Sequence, residues 1–122
     1  MRYIAIMHLE PGTFDRMTDK QRAELDAGTS GFDRDLKAQG RYVHAEALEG
    51  PRAGRLVRVR KGSASFTDGP YIETKEQMIG VIMFESRDLN EAIATFAGHP
   101  FAALGTVEIR PTFDAPVPPP LS

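Results

Sequence analysis

Two short runs of apolar residues constrain the fold of this chain more than any other feature. Tyr3–Leu9 reads YIAIMHL, and Ile79–Phe84 reads IGVIMF. A strand that is apolar on both sides is typical of a sheet whose two faces are both covered. We therefore expect these runs to form central strands of one sheet, with helices on one face and a second layer on the other.

A long helix is predicted after the first strand. Thr18 has the pattern of an N-cap that forms a capping box with Gln21, so the helix is expected over Asp19–Gln39. Gly28 and Gly31 weaken its middle, because each costs about 1 kcal/mol relative to Ala. The helix is therefore expected to kink or to split at these glycines.

A second helix is predicted after Asp88, with an apolar stripe from Leu89 to Phe96, and Gly98 and Pro100 are expected to end it.

The order β-α-β, hairpin, β-α-β predicts an α+β sandwich, with both helices on one face of a mixed or antiparallel sheet. Because large exposed apolar patches are rare on monomers, we predict a homodimer that packs sheet on sheet around a cavity. The other predicted strands are Arg41–Leu48, a hairpin over residues 55–67, and Thr106–Arg110.

Composition and charge exclude several classes of protein. The 122 residues include no Cys, which excludes disulfide frameworks and thiolate metal sites. A net charge of -2 argues against direct binding of nucleic acid. No apolar run has the length of a membrane span and no secretory pattern begins the chain, so we expect a cytoplasmic protein that does not bind membranes. The sequence shows neither metal-ligand spacing nor a phosphate-binding glycine motif, so we expect no cofactor.

The segment TDGPYIETKE, over Thr67–Glu76, resembles the central motif of YCII-related proteins of the DGPF type. That motif reads roughly TDGPFxExKE and precedes an apolar strand; Tyr71 stands where the family usually has Phe. The resemblance covers about residues 1–113, which we take as one domain, followed by a Pro-rich tail over residues 114–122. Other matching segments are Leu56–Arg60, Asp88–Ala97 and Val107–Pro111.

The resemblance implies a dimeric, ferredoxin-like α+β barrel. Most such proteins have no assigned reaction. Some YCII-related proteins are linked to isomerase, lyase or dehalogenation chemistry on small molecules, and a His–Asp pair has been proposed as catalytic in one branch. Some proteins of the DGPF type are encoded beside, or fused to, alternative sigma factors.

Three residues are candidates for proton transfer. His8 lies in an apolar strand and is interpreted as a general base facing the cavity, as a buried histidine bonded to a backbone carbonyl, or as a histidine at the rim of the sheet. Asp68 precedes Gly-Pro, where it is a base at the cavity mouth or caps its own turn. Glu73 lies close to Lys75 and Glu76, so it is either tuned for proton transfer or part of a solvated ion pair.

A basic hairpin strand is the candidate for ligand binding. Residues 41–61 hold six Lys or Arg against two Glu, and Arg58 and Arg60 share one strand face. This face could bind a carboxylate or a phenolate, or its charge could prevent edge-to-edge pairing. The other candidate ligand-binding residues are Tyr71, Lys75 and Glu76.

The other two histidines have less specific patterns. His44 alternates with Tyr42 and Glu46, and the three could form a polar rim. His99 precedes Pro100 at a helix end, where a cation favours the helix dipole, so we expect a capping role.

Two functions remain open from the sequence. The first is a cofactor-independent enzyme of the isomerase or lyase type, acting by proton transfer on a small cyclic or aromatic polar molecule. The alternative is a non-catalytic ligand-binding or regulatory module associated with transcription. Fold alone does not decide between them.

Overall fold

The structure, a computed structural model, describes residues 1–68 and 76–113. The Pro-rich tail predicted over residues 114–122 lies outside the described residues. None of the described helices has both the length and the apolar character needed to cross a membrane. The elements in chain order are β1 (Arg2–Leu9), α1 (Asp19–Ala38), β2 (Tyr42–Ala47), a 3-10 turn (Pro51–Ala53), β3 (Arg55–Arg60), β4 (Ser63–Asp68), β5 (Gln77–Glu85), α2 (Leu89–Phe96), α3 (Pro100–Leu104) and β6 (Thr106–Pro111).

The main sheet has four antiparallel strands in the order β2-β5-β1-β6. The two apolar runs form its central strands, as predicted. Ile4 of β1 lies opposite Met83 of β5, and Ala5 lies opposite Ile82. This strand order, with helices between the strands, confirms the predicted ferredoxin-like α+β fold.

The core lies between the helices and one face of this sheet. Phe84 of β5 is fully buried, and its ring centroid lies 4.7 Å from that of Phe96 in α2. Leu36 brings α1 into the same cluster. Burying a large apolar side chain of this kind contributes about 1.5–3 kcal/mol. The core residues are Tyr3, Ala5, Met7, Leu36, Ile82, Phe84, Ala92 and Phe96.

Helix α1 runs without interruption over Asp19–Ala38, so the alternative of a split at its glycines is wrong. The capping box at its start is present: the Gln21 N–H donates to the Thr18 hydroxyl over 3.1 Å, and the Thr18 N–H donates to the Gln21 side chain over 2.9 Å. Gly28 instead permits close packing, because a Cβ at this position would lie 3.0 Å from Cγ of Pro100. The contact with α3 thus explains a glycine that local propensity disfavours.

Pro100 starts a helix as well as following one. The prediction that Gly98 and Pro100 end α2 is correct, but the five-residue helix α3 that begins at Pro100 was not expected. Pro is favoured at the first position of a helix, because its missing N–H would have no partner there. His99 is the N-cap of this helix.

The predicted hairpin forms a separate two-stranded sheet of β3 and β4. Lys61 and Gly62 both have positive φ, as a type I′ turn requires. Val57, Val59 and Phe66 share one face of the hairpin and are largely exposed. The hairpin thus presents an apolar surface of its own.

The sheet face opposite the core has an apolar centre and polar edges. Ile4 and Ile6 of β1 lie in register with Met83 and Val81 of β5. Both edge strands place polar residues on this face, in register with those apolar side chains. The edge residues are His44, Glu46, Glu108 and Arg110.

Candidate functional site

A cavity of about 350 Å³ lies on the core side of the sheet, between α1, β2, β5 and the α2–α3 junction. Its size lies within the range of small-molecule sites, which are mostly apolar with a few polar groups. The polar lining residues on its helical side are Thr29, Asp33 and His99. The strands contribute Met7, Tyr42, Ala45, Glu46, Ala47, Ile79, Gly80, Val81 and Ile82, and α3 contributes Phe101.

Asp33 is the most unusual group in this cavity. Its Oδ1 is buried and has no hydrogen-bond partner in the described part of the chain. Burial raises the pKa of the Asp33 carboxyl, and the nearby Lys37 ammonium partly opposes this rise. A buried polar atom without a partner is rare and costly, so it points to a ligand or to a catalytic role.

The helical repeat explains how Asp33 reaches the cavity. Thr29 and Asp33 lie one turn apart on α1, and the next turn of the same side carries the buried Leu36. Lys37 is held beside the site, with its Nζ 4.7 Å from the centre of the Tyr42 ring, a distance typical of a cation–π contact.

His99 is buried, with an exposed fraction of 2%. Burial lowers its pKa to about 4, so the imidazole is neutral at physiological pH. Its Nδ1 accepts the backbone N–H of Phe101 over 3.1 Å, which leaves the proton of the neutral ring on Nε2. The prediction of a cationic cap at the end of α2 is therefore wrong, and His99 instead caps the start of α3.

Aromatic side chains fix the orientation of the His99 ring. Its centroid lies 4.6 Å from that of Phe32, 5.7 Å from that of Phe96 and 5.2 Å from that of Phe101. These contacts and the capping bond hold the imidazole in one position. The cavity thus combines a desolvated carboxylate with a neutral imidazole whose Nε2 is a hydrogen-bond donor.

Comparison with known proteins places the chain in a family. The family model of the YCII-related domain matches residues 1–115. The chain belongs to the YCII-related domain family. It is also 35% identical, over 88 residues, to the uncharacterised protein R00369 of Rhizobium meliloti (strain 1021); the match covers 64% of this chain and 70% of that protein.

His8 lies on the opposite side of the sheet in this YCII-related domain. Its Nε2 is 3.2 Å from Oε1 of Glu108, and its side chain is 25% exposed. Its register partner is Thr106, whose hydroxyl donates to Oε1 of Glu76 over 2.7 Å. The structure therefore brings His8 and Glu76 to the same end of the sheet.

The remaining predicted site residues lie in the hairpin sheet, at the edge of the main sheet or outside the residues that the structure describes. Asp68 is the last residue of β4, in the hairpin sheet. Glu73, Tyr71 and Lys75 lie outside the described residues. The catalytic roles of His8, Asp68 and Glu73 stay predictions.

Arg58 and Arg60 lie on the exposed hairpin, and neither lines the cavity that contains Asp33. His44 lies at the sheet edge, with its Nε2 2.8 Å from Oε1 of Glu46, so part of the predicted polar rim is present. In the described part of the chain, no three His, Asp or Glu side chains form a group that could hold a metal ion.

Asp33 was missed by the sequence analysis, and His99 was assigned only a capping role. The signal for Asp33 was its position: it follows Phe32 and lies four residues after Thr29, beside the apolar stripe of α1. A carboxylate next to such a stripe is a candidate for burial. For His99, the signal was a titratable side chain between Phe96 and Phe101.

Proposed function

We propose that this YCII-related domain is an enzyme that moves a proton on a small cyclic or aromatic polar molecule, by cofactor-independent isomerase or lyase chemistry. The observation that carries the proposal is the buried, unpartnered Oδ1 of Asp33, in the same cavity as the neutral His99. Pairs of titratable groups with displaced pKa values are typical of acid–base catalysis.

Asp33 has the properties of a general base. Its desolvated carboxylate has a raised pKa, and a stronger base removes a proton from carbon more effectively. In the proposed step, an Asp33 oxygen takes a proton from the carbon next to a substrate carbonyl, and the C–H electron pair forms the enolate. Return of the proton to a different carbon completes an isomerisation, whereas loss of a leaving group completes a lyase reaction.

His99 would stabilise the enolate. Its protonated Nε2 donates a hydrogen bond to the developing oxyanion, and the neutral ring does not itself lose a proton in this step. A fixed donor aimed at a developing negative charge stabilises it strongly, and removing one such donor typically costs 10²–10³ in rate. Thr29 of α1 and Tyr42 of β2 also line this cavity.

Hydrogen–deuterium exchange at carbon tests the proposal directly. Wild-type protein in D₂O, followed by ¹H NMR, should exchange the protons next to the carbonyl of 2-hydroxycyclohexanone, the first probe of a panel of cyclic ketones. Asp33→Asn should lower this rate at least about 100-fold, since general base catalysis contributes roughly 10²–10⁴. The matched control is Glu24→Gln, which changes an exposed carboxylate of the same helix and should keep the wild-type rate.

Equal exchange rates in wild type and Asp33→Asn would overturn the proposed base. Binding of the probes without exchange would instead favour the non-catalytic ligand-binding module. The same assay on His8→Gln checks the role predicted for His8 on the other face. A loss there with no loss in Asp33→Asn would move the reaction to that face.

We also propose that a second copy of the chain covers the open sheet face. The apolar centre supports this: Ile4, Val81 and Met83 are half-buried in the single chain around the buried Ile6, and apolar surfaces of this kind are rare on monomers. The edges carry both Glu108 and Arg110, so a second copy supplies both signs of charge. Light scattering should give the mass of a dimer for wild type and of a monomer for Met83→Glu; a monomeric wild type contradicts the proposal.

A further inference from the structure

A second cavity, of about 340 Å³, lies beside the one that contains Asp33. We call it the outer cavity. Its walls are the β1–α1 connection, the β2–β3 connection and α3, and most of its lining side chains are apolar. These apolar residues include Leu9, Pro11, Phe14, Leu48, Pro51 and Phe101.

The two cavities share part of their walls. Ala47, Ile79 and Phe101 line both. A molecule whose polar group reaches Asp33 therefore has an apolar space next to it, separated from the site only by these side chains. The volume of each cavity lies near the lower end of the range for a small-molecule site, and together they suit a larger ligand.

We infer that the outer cavity binds an apolar substituent of the ligand, so that the preferred ligand is an uncharged hydroxylated ring with an alkyl or aryl tail. The inference rests on the proposed function, because it places the hydroxyl group at Asp33 and His99. A hydroxyl group can donate to the unpartnered Oδ1 of Asp33 and accept from Nε2 of His99.

The charges of the walls support an uncharged ligand. Glu10 and Glu49 line the outer cavity, and Asp33 lines the inner one. Among the described lining residues of both cavities there is no Lys or Arg. The neighbouring cations Lys37 and Arg16 lie beside Asp33 and Glu10. A phosphate or carboxylate would have to compete with these carboxylates, which disfavours its binding.

The two loops that form the outer cavity are held in place without a ligand. The Arg22 guanidinium donates to the backbone carbonyl of Phe14, over 3.1 Å from Nε and 2.9 Å from Nη2. The Leu48 N–H donates to the Ile79 carbonyl over 2.8 Å. Preformed walls reduce the cost of ordering on binding, so apolar contacts made there contribute to affinity.

A series of 4-alkylphenols, from phenol to 4-pentylphenol, tests the inference. Dissociation constants are measured by NMR titration of the full chain. Affinity should increase three- to fourfold per methylene until the outer cavity is filled, which corresponds to roughly 0.8 kcal/mol per buried methylene. The absence of this dependence, or of any binding at millimolar concentration, overturns the inference.

Variants of the two walls locate the alkyl group. Leu48→Asp and Phe14→Asp put a charge on opposite walls, and both positions tolerate substitution because they are 49% and 41% exposed. Each should remove the chain-length dependence and leave the affinity for phenol within about twofold, since a buried charge excludes alkyl groups. Val57→Asp, on the exposed hairpin, is the matched control and should keep the full dependence. A dependence that survives both wall variants overturns the inference.

Asp33→Asn separates this inference from the proposed function. It should weaken the binding of every phenol by a similar factor and leave the dependence on chain length unchanged. Unchanged affinities with the full dependence would contradict the role of Asp33 but support an apolar site in the outer cavity.

Discussion

The two sides of the main sheet each place a histidine near a carboxylate, in very different surroundings. On the helix side, His99 is held by aromatic rings and a backbone N–H, and it shares a cavity with Asp33. On the open side, His8 lies 3.2 Å from Glu108, which is itself exposed. The histidine of the helix side is therefore buried, whereas the histidine and the carboxylate of the open side are partly exposed to water.

This difference shows what burial adds to a pair of ionisable groups. Near water, an ion pair contributes little, because solvent already stabilises both charges. In the helix-side cavity, burial raises the pKa of Asp33 and lowers that of His99, so each favours its neutral form. The helix side therefore has ionisable groups whose pKa values are displaced by burial, and the following measurements test that contrast.

The largest expected difference concerns packing on the two sides. Phe84→Ala removes a fully buried ring on the helix side and should lower the free energy of unfolding by about 3–5 kcal/mol. Met83→Ala, the neighbouring position on the open side, should cost only about 1 kcal/mol in the monomer. Urea unfolding of both variants, at a protein concentration at which light scattering gives the mass of a monomer, measures the difference. Equal losses in the monomer would contradict the contrast.

The next largest effect is the pH dependence caused by His99. The pKa of His99 is 6.5 in the unfolded protein and about 4 in the folded protein. Above pH 6.5 the imidazole is neutral in both states, so the folded protein has its full stability there. This stability is lost as the pH falls toward 4, by about 2–3 kcal/mol at 1.36 kcal/mol per pKa unit.

Urea unfolding between pH 4 and 7 measures this loss. His99→Asn, which retains an oxygen acceptor for the start of α3, should lose less stability over the same interval. His44→Asn is the control at an exposed position. Between pH 7 and pH 4 it should lose as much stability as the wild type, because it retains His99. Parallel curves for wild type and His99→Asn would contradict the effect of burial.

A smaller effect, of opposite sign, is expected at Asp33. Its folded pKa is raised, so its ionised form destabilises the folded protein at neutral pH and has no such effect below pH 3.8. Asp33→Asn should therefore stabilise the protein modestly at pH 7, because partial exposure of the side chain limits the effect. Thermal unfolding at pH 7 and pH 3 checks this, and a destabilised variant at pH 7 would count against a strained carboxylate.

The smallest effect is expected on the open side. Glu108→Gln removes the carboxylate beside His8 and should change stability by no more than about 0.5 kcal/mol, because exposed ion pairs are screened by water. Unfolding at low and high salt measures it. An exposed ion pair contributes at most about 1 kcal/mol. A larger loss of stability would therefore show that the His8–Glu108 pair is buried in solution.

Much of the fold was predictable because it depends on local patterns. The two apolar runs became β1 and β5, and Thr18 with Gln21 capped α1 as expected. The short helix α3 was not predicted, because Pro100 is compatible with both a stop and a start. The packing of Gly28 against Pro100, 72 positions away, was also missed, because it depends on a tertiary contact.

The candidate site was less predictable than the fold. His8 was a candidate because it lies in an apolar strand, and the structure shows that it has a carboxylate partner near solvent. Asp33 was not a candidate, because in sequence it resembles the other acidic residues of a polar helix. Neither exposure nor the lack of a partner can be read from neighbours along the chain.

The sequence by itself determined the strands, the capped helices and the α+β order, because these depend on hydrophobic period and on bonds between near neighbours. Only the tertiary structure decided which charged groups lie away from water. Asp33 and His99 are far apart in the chain, and α1, α3 and the sheet enclose both in one cavity. Their altered pKa values follow from that enclosure, since desolvation depends on every element packed around a group.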